Sequence, residues 1–284
     1  AAEIDALGTE ASLDMRVNTL KTTREALIKS LKEEGFDPSP TPYSPWGVRL
    51  AKRGAIFNTK AFREGWFEVQ DEGSQLIAFA CNAKAGEKVI DFCAGAGGKT
   101  LALSAMMQNK GRVLAWDTSA TRLEQIVKRI RRAGADNIQR HAIESESDAF
   151  IKRHKGSADV VLIDAPCSGS GTWRRNPDLK WRFAQQDLDE VTAIQTRVLA
   201  SAARLVKPGG RLVYATCSLF NEENKKQVEQ FLSRNPDFRV ATPAEIWNNE
   251  YGFNGLEAQD TLQLSPLRSN TDGFYAAVLV KNKE

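Results

Sequence analysis

The chain has 284 residues, of which 42% are hydrophobic and 26% charged, and a formal net charge of +3. That composition excludes a disordered or fibrous chain, and the length suits one α/β domain with a smaller companion. A pI of about 8.6 permits a nucleic-acid partner without requiring one, and no apolar run approaches the ~18 residues of a membrane span.

In chain order, Leu13-Asp14-Met15-Arg16-Val17-Asn18 alternates as a strand does. Thr22 and Thr23 can cap a helix whose apolar positions Ala26, Leu27, Ile28 and Leu31 precede a stop at Gly35. Pro38, Pro40, Pro42 and Pro45 shape a loop before a further strand at Val48-Arg49-Leu50. This βαβ-like opening predicts a small α+β module over residues 1–65, a linker over 65–71 and a helix over 73–80. The second unit, 66–284, begins to alternate strands and helices from Lys84. Strands are predicted at 88–92, 112–116, near Ile138, up to Asp164, up to Thr216 and at 273–280. Helices are predicted after Gly98, at 120–133, at 186–205 (stopped by Lys207-Pro208-Gly209-Gly210) and at 222–232. That alternation is the signature of a doubly wound α/β sheet.

Two of the four cysteines, Cys167 and Cys217, follow apolar strands at 158–163 and 210–214. If those strands are parallel neighbours, both thiols emerge at the carboxyl edge, where open α/β sheets keep their sites. Cys81, Cys93, Cys167 and Cys217 make no C-x-x-C pair, and His141 and His154 are distant in sequence, so no metal site is predicted. Free thiols without a signal peptide predict a cytoplasmic protein. The polar start at Ala1, without methionine, is expected of a piece of a longer protein.

The turn Cys93-Ala94-Gly95-Ala96-Gly97-Gly98-Lys99-Thr100 follows the strand ending at Asp91 and can be read in three ways. As a phosphate loop, Gly98-Lys99-Thr100 fits, but Cys93 stands where the first glycine is required. As a dinucleotide fingerprint it fails at Thr100. The third reading is an S-adenosylmethionine site, with Asp91-x-Cys93-x-Gly95-x-Gly97 in place of D-x-G-x-G-x-G. Asp117, ending the next strand, can take the ribose hydroxyls, or merely cap the helix after it. Glu144, Glu146 and Asp148 are candidates for the adenine amine, with Glu144 put first.

Several segments together resemble the Sun/Fmu family of RNA (cytosine-5)-methyltransferases. They are Asp91 to Thr100, Asp164-Ala165-Pro166-Cys167-Ser168 through Thr172, Arg174-Arg175-Asn176-Pro177-Asp178 with Lys180-Trp181, and Ala215-Thr216-Cys217-Ser218. Asp272-Gly273-Phe274-Tyr275 and Gln70-Asp71-Glu72-Gly73-Ser74 fit as well. The chain departs at Gly95-Ala96, where the family usually has Ala-Pro, which should alter loop stiffness more than chemistry. The resemblance implies a Rossmann-like methyltransferase fold, S-adenosylmethionine as cofactor and a small RNA-recognition-like module at the amino end. It also implies cytosine methylation in RNA, ribosomal before transfer RNA, by a monomer without a membrane partner.

By that likeness Cys217 is the nucleophile, Cys167 acts in product release, and Asp164 contacts the base and the cofactor. Cofactor contacts would come from Cys93, Ala94, Gly95, Ala96, Gly97, Gly98, Lys99, Asp117 and Glu144, and RNA contacts from Arg174, Arg175 and Lys180. A lone strand-end cysteine is otherwise a small buried hydrophobe, and Arg174-Arg175 or Lys128 to Arg132 otherwise a solvated basic face. A ribosome-assembly RNA-binding factor and a nucleotide hydrolase are the rival functions.

Overall fold

The computed structural model describes residues 2–52, 54–242, 244–245, 256 and 259–283. A short helix α1 (Ala2–Ala6) leads to β1 (Leu13–Val17), α2 (Arg24–Glu33), β2 (Pro38–Pro40), β3 (Gly47–Leu50), α3 (Lys60–Arg63) and β4 (Phe67–Val69). Thr23 caps α2 by accepting the Ala26 amide at 3.2 Å, and Gly35 ends it at φ +87°. Met15 and Val17 pack with Leu27, Leu31, Val48, Leu50 and Phe67 in a core of their own.

The four strands run in the order β2-β3-β1-β4, every pair antiparallel. Two expectations change here. The opening is not a parallel βαβ unit, because α2 and β2 bring β3 back against β1 head to tail. The stretch read as a linker contributes β4, paired with β1 through Met15–Val69 and Val17–Phe67.

The other face of β1 is polar and equally buried. Asp14 takes a bidentate pair from Arg49 at 2.7 and 2.8 Å and the Glu72 amide at 3.2 Å. Arg16, 2% exposed, donates to Gln70 Oε1 at 2.7 Å and to the Gly98 carbonyl at 3.3 Å. The alternation of β1 therefore sorts its side chains between a private core and a hydrogen-bonded seam with the larger unit.

That unit continues with α4 (Glu72–Ala80), β5 (Lys88–Asp91), α5 (Gly98–Met106), β6 (Arg112–Asp117), α6 (Ala120–Ala133), β7 (Ile138–Ala142), α7 (Ala149–Lys152) and β8 (Ala158–Asp164). Then come α8 (Leu179–Arg182), α9 (Gln185–Ala203), β9 (Val206–Thr216), α10 (Lys225–Arg234), β10 (Phe238–Val240), β11 (Thr261–Leu264), a one-turn helix Pro266–Ser269 and β12 (Phe274–Lys281). The sheet order is β10-β12-β9-β8-β5-β6-β7, with β11 on β12. The strands from β7 to β9 are parallel, while β12 runs antiparallel between β9 and β10. Strands buried on both faces read as unbroken apolar runs. Val161 and Ile163 enter the core under α9 and α10, while Val160 and Leu162 enter the core under α4 and α5.

Lys207-Pro208-Gly209-Gly210 does not end a helix. It lies inside β9 as a bulge, since Ala158 pairs Val206 and Val160 pairs Arg211. A bulge tolerates a proline that lacks an amide donor. The strand order reverses between β5 and β8, and in open α/β sheets the crevice at such a point takes the ligand.

Candidate active site

The β8–β9 pairing carries Asp164 beside Ala215, and the Ala165 amide donates to the Ala215 carbonyl at 2.8 Å. Both chains leave the sheet together. The Gly171 amide closes on the Cys217 carbonyl at 2.9 Å, and the Cys167 and Cys217 sulfurs stand 3.3 Å apart. Their hydrogen bond, followed by burial, pushes the Cys167 thiol well above its ordinary range. Cys81 is a different case: it is buried in the core, and burial pushes its thiol up.

Across the switch point, Lys99 on the first turn of α5 donates to Asp164 Oδ2 at 2.7 Å, with its own side chain 9% exposed. Burial works against the ammonium, but Asp164, Cys217 and Asp91 together leave it raised. An ammonium so engaged is not presented to a nucleotide's phosphates, which removes the support for a phosphate-loop reading. Asp91 is 1% exposed; Thr100 Oγ1 donates to its Oδ2 at 2.7 Å, and its Oδ1 is buried without a partner. Burial pushes the Asp91 carboxyl up to about 7.

The glycine loop is held from below. Gly95 (φ +52°) and Gly97 (φ +84°) lie in the left-handed region, and a Cβ on Gly95 would meet Arg122 at 2.5 Å. Asp117 accepts the Gly95 amide at 2.7 Å and the Ser119 amide at 2.8 Å, so it braces the loop as well as lining the cavity. A carboxylate offers about four lone-pair sites, which leaves room for hydroxyls besides.

Two cavities share Cys93, Arg122 and Asp164 in their walls. One, about 340 Å³, is lined by Phe92, Ile143, Pro166, Ile194 and Val198 with Asp117, Glu146 and both Cys167 and Cys217. The other, about 200 Å³, is polar and lined by Asp91, Ala94, Gly95, Ala96, Gly98 and Lys99. Glu144, the first choice for the adenine amine, is exposed and absent from these walls. Glu146 lines the larger cavity and is held by Arg197 at 2.7 Å, and Asp148 spends its carboxylate on the Glu144 and Phe150 amides. The loop after β7 thus turns Glu146, and not Glu144, toward the larger cavity, a direction that spacing alone does not reveal.

Arg174 also departs from expectation. Its side chain is 1% exposed, donates from Nε to Asp272 at 2.6 Å and sits 3.7 Å from Asp71. Arg175, 29% exposed, pairs with the same two acids at 2.5 and 2.9 Å. A buried guanidinium engaged in this way cannot neutralise RNA phosphates, so the phosphate-contact expectation fails for Arg174. Lys180 is exposed and lies 5.4 Å over the ring of Trp181, itself 82% exposed. In the basic run of α6, Arg129 and Arg132 are not simply solvated. Both pair with Glu68 of β4, and Arg129 also donates to the Ala96 carbonyl at 2.5 Å, fastening the small module to the glycine loop.

Glu223, which sequence reasoning passed over, is 0% exposed and hydrogen-bonds the loops of both cysteines. Only its place six residues after Cys217 hinted at it. Gln195 of α9 was passed over too; it donates to the Pro166 carbonyl and to Glu223, each at 2.9 Å.

The strand order, with its reversed strand beside β9, and the glycine loop at the switch point define a Rossmann-like methyltransferase fold. The model of the family described as 16S rRNA methyltransferase RsmB/F matches residues 78–280, and that of the RsmF/B-like ferredoxin-like domain matches residues 2–57. The chain belongs to the RsmB/F methyltransferase family.

It is 36% identical over 272 residues to a probable ribosomal RNA small subunit methyltransferase B of Synechocystis, covering 95% of this chain and 60% of that one. It is 35% identical over 272 residues to ribosomal RNA small subunit methyltransferase B of Pectobacterium atrosepticum, covering 94% and 59%. The chain thus spans about 60% of the length of these curated relatives. Among solved structures, a methyltransferase homologue from Pyrococcus horikoshii superposes with a TM-score of 0.83 at 31% identity, over 99% of this chain and 90% of that one. NSun6 from Pyrococcus horikoshii, solved with SFG, shares the fold at a TM-score of 0.86 and 22% identity, over 100% and 94%.

Proposed function

We propose that the chain carries the catalytic part of an S-adenosylmethionine-dependent methyltransferase that modifies carbon 5 of cytosine in RNA, with 16S rRNA as the substrate. The observation that carries this reading is the pair of thiols 3.3 Å apart at the carboxyl ends of adjacent parallel strands. Support for the substrate comes from the curated relatives, which are small-subunit rRNA methyltransferases.

The residues present fit the cofactor. The larger cavity combines an apolar wall with the Asp117 carboxylate, suited to an adenine and its ribose. The smaller is polar, and the buried, unpartnered Asp91 Oδ1 beside it suits an amino group. Asp117, Ile143, Pro166 and Val198 would hold the nucleoside, and Asp91 with the loop from Gly95 to Lys99 the amino-acid end. S-adenosylmethionine is the SFG-like ligand that this site would take, and when bound it supplies an electrophilic methyl group.

Carbon 5 of cytosine is too weak a nucleophile to react unaided. The Cys217 thiolate adds to carbon 6, a carbon–sulfur bond forms, and the displaced π pair makes carbon 5 nucleophilic. Once carbon 5 is alkylated it gives its proton to water, the ring double bond re-forms, and the carbon–sulfur pair returns to Cys217 as a thiolate. Cys167, a thiol beside that sulfur, serves the release half of the cycle. Lys99 fixes the carboxylate of Asp164, which is offered to the base. The base must leave its stack to reach either sulfur, which favours an unpaired target. The exposed Lys180, Trp181 and Arg182 on α8, in the loop that starts at Cys167, suit a single-stranded segment through charge and stacking.

The test is transfer of tritiated methyl from labelled S-adenosylmethionine to RNA, with the modified base then mapped. The expected product is 5-methylcytosine in small-subunit rRNA. Label in adenosine, or no label in RNA, defeats the reading.

A further inference from the structure

Glu223 lies in the turn between β9 and α10, fully buried, and touches neither sulfur. Its Oε1 accepts the Ser168 amide at 2.8 Å and the Gln195 side-chain amide at 2.9 Å. Its Oε2 accepts the hydroxyls of Ser168, at 2.5 Å, and of Ser218. Ser168 directly follows Cys167, and Ser218 directly follows Cys217.

The hydroxyl directions follow from this arrangement. With its single proton given to Glu223, Ser218 Oγ accepts from the Phe220 amide at 3.0 Å and from Ser170 Oγ at 3.0 Å, and Ser170 Oγ in turn accepts the Leu219 amide at 2.9 Å. One carboxylate therefore terminates a chain of donors that crosses from one cysteine loop to the other. Each of these contacts is to a neutral donor, so the site is built for an anion without a counter-ion.

We propose that Glu223 is a positioning residue for the thiol pair: it locks the loops of Cys167 and Cys217 in one register and biases the shared proton toward Cys167. The inference rests on the reading in which Cys217 attacks and Cys167 assists release. The surroundings of the two sulfurs differ in the required sense. Glu223 holds the residue after Cys167 through both its amide and its hydroxyl but the residue after Cys217 through its hydroxyl alone, while across the site the Lys99 ammonium is paired with Asp164. An anion tied more closely to one of two adjacent cysteine loops, with no unbalanced cation beside it, separates the affinities of the two sulfurs for one proton.

The experiment alkylates the full chain, without RNA or methyl donor, with iodoacetamide across roughly pH 6–10, the range in which perturbed thiols titrate. Mass spectrometry then follows each cysteine separately. In the wild type Cys167 should react only at a pH above the ordinary thiol range. Glu223→Gln keeps the volume and lets the serine hydroxyls turn to meet an amide, so mainly the charge is lost. The midpoint for Cys167 should then fall by about one unit, an approximately tenfold gain in its thiolate fraction at fixed pH.

Where that variant does not fold, Ser168→Ala with Ser218→Ala cuts the links while keeping the carboxylate. The freed loops then part the two sulfurs, and the Cys167 midpoint falls as well. In turnover, Glu223→Gln should lower kcat and leave KM for RNA unchanged. Unchanged midpoints for both cysteines overturn the proposal. A chain that never methylates cytosine defeats the functional reading instead, because the alkylation profile needs no turnover.

Discussion

Asp272→Ala probes what holds the Cys167 loop against the rest of the molecule. Asp272 is 2% exposed and accepts from Arg174 at 2.6 Å and Arg175 at 2.5 Å, with Asp71 completing the cluster. The loss takes the hydrogen-bonded partner from the Arg174 guanidinium, whose side chain is 1% exposed, and leaves it Asp71 at 3.7 Å, beyond hydrogen-bond reach. Removing one hydrogen-bonded partner of a buried ion pair costs about 3–5 kcal/mol, and the partly exposed Arg175 adds little. At about 2–4 °C per kcal/mol for a domain of this size class, Tm should fall by roughly 6–20 °C.

The assay is scanning calorimetry of the variant beside Arg174→Met combined with Asp272→Leu. That pair should recover most of the loss, since apolar replacement of both partners of a buried pair is often neutral. Asp272 also helps burial hold the Asp71 carboxyl up at about 6, so Asp71 should titrate lower in the variant. A Tm drop below about 2 °C would place the cluster among surface ion pairs and refute the argument.

Cys217→Ala should abolish methyl transfer and any covalent adduct, whereas Cys167→Ala should accumulate a methylated RNA–protein adduct on denaturing gels. The reverse pattern would exchange the roles of the two thiols. Burial holds Asp91 at about 7, well above its value of roughly 3.9 in an unfolded chain. The folded state therefore binds the extra proton between about pH 4 and 7, and stability is fully present below that window and lost as pH rises through it. Asp91→Asn should raise Tm at pH values above about 7 and flatten that slope, while weakening stabilisation by S-adenosylhomocysteine; a slope identical to wild type would clear Asp91 of the effect. Lys180→Ala should reduce RNA affinity and lower the salt slope by about one, whereas Arg174→Met should leave the slope unchanged in filter binding.

The catalytic sheet was readable because its strands are buried on both faces and punctuated by glycine, so that Val160 to Ile163 or Leu212 to Ala215 admit little but a central strand. The edge position of both thiols followed from that. What escaped notice depends on partners far away in sequence. Phe67 to Val69 is too short to announce a strand, and its register is set by β1 some fifty residues earlier. Arg174 reads as a surface cation until Asp71 and Asp272, each about a hundred residues away on either side, close on it. Glu223 resembles any helix-start acid, since its meaning lies in Ser168, 55 positions away. Glu144 and Glu146 differ only in the direction a loop turns, which no local pattern encodes.

The placing of β12 has a consequence for synthesis. Tyr275 pairs with Thr216 and Ala276 with Ala215, so the strand that delivers Cys217 is flanked on one side by the last strand of the described chain. While residues 274–281 remain within the ribosome, β9 exposes an open hydrogen-bonding edge, and the thiol at its tip has no wall on that side. The order of emergence thus separates the two halves of the sheet in time. The strands β5 to β8 can form early, but the strand that carries Cys217 is closed only once residues 274–281 have emerged. A chain stopped shortly before Phe274 would keep that edge of β9 open and adhesive.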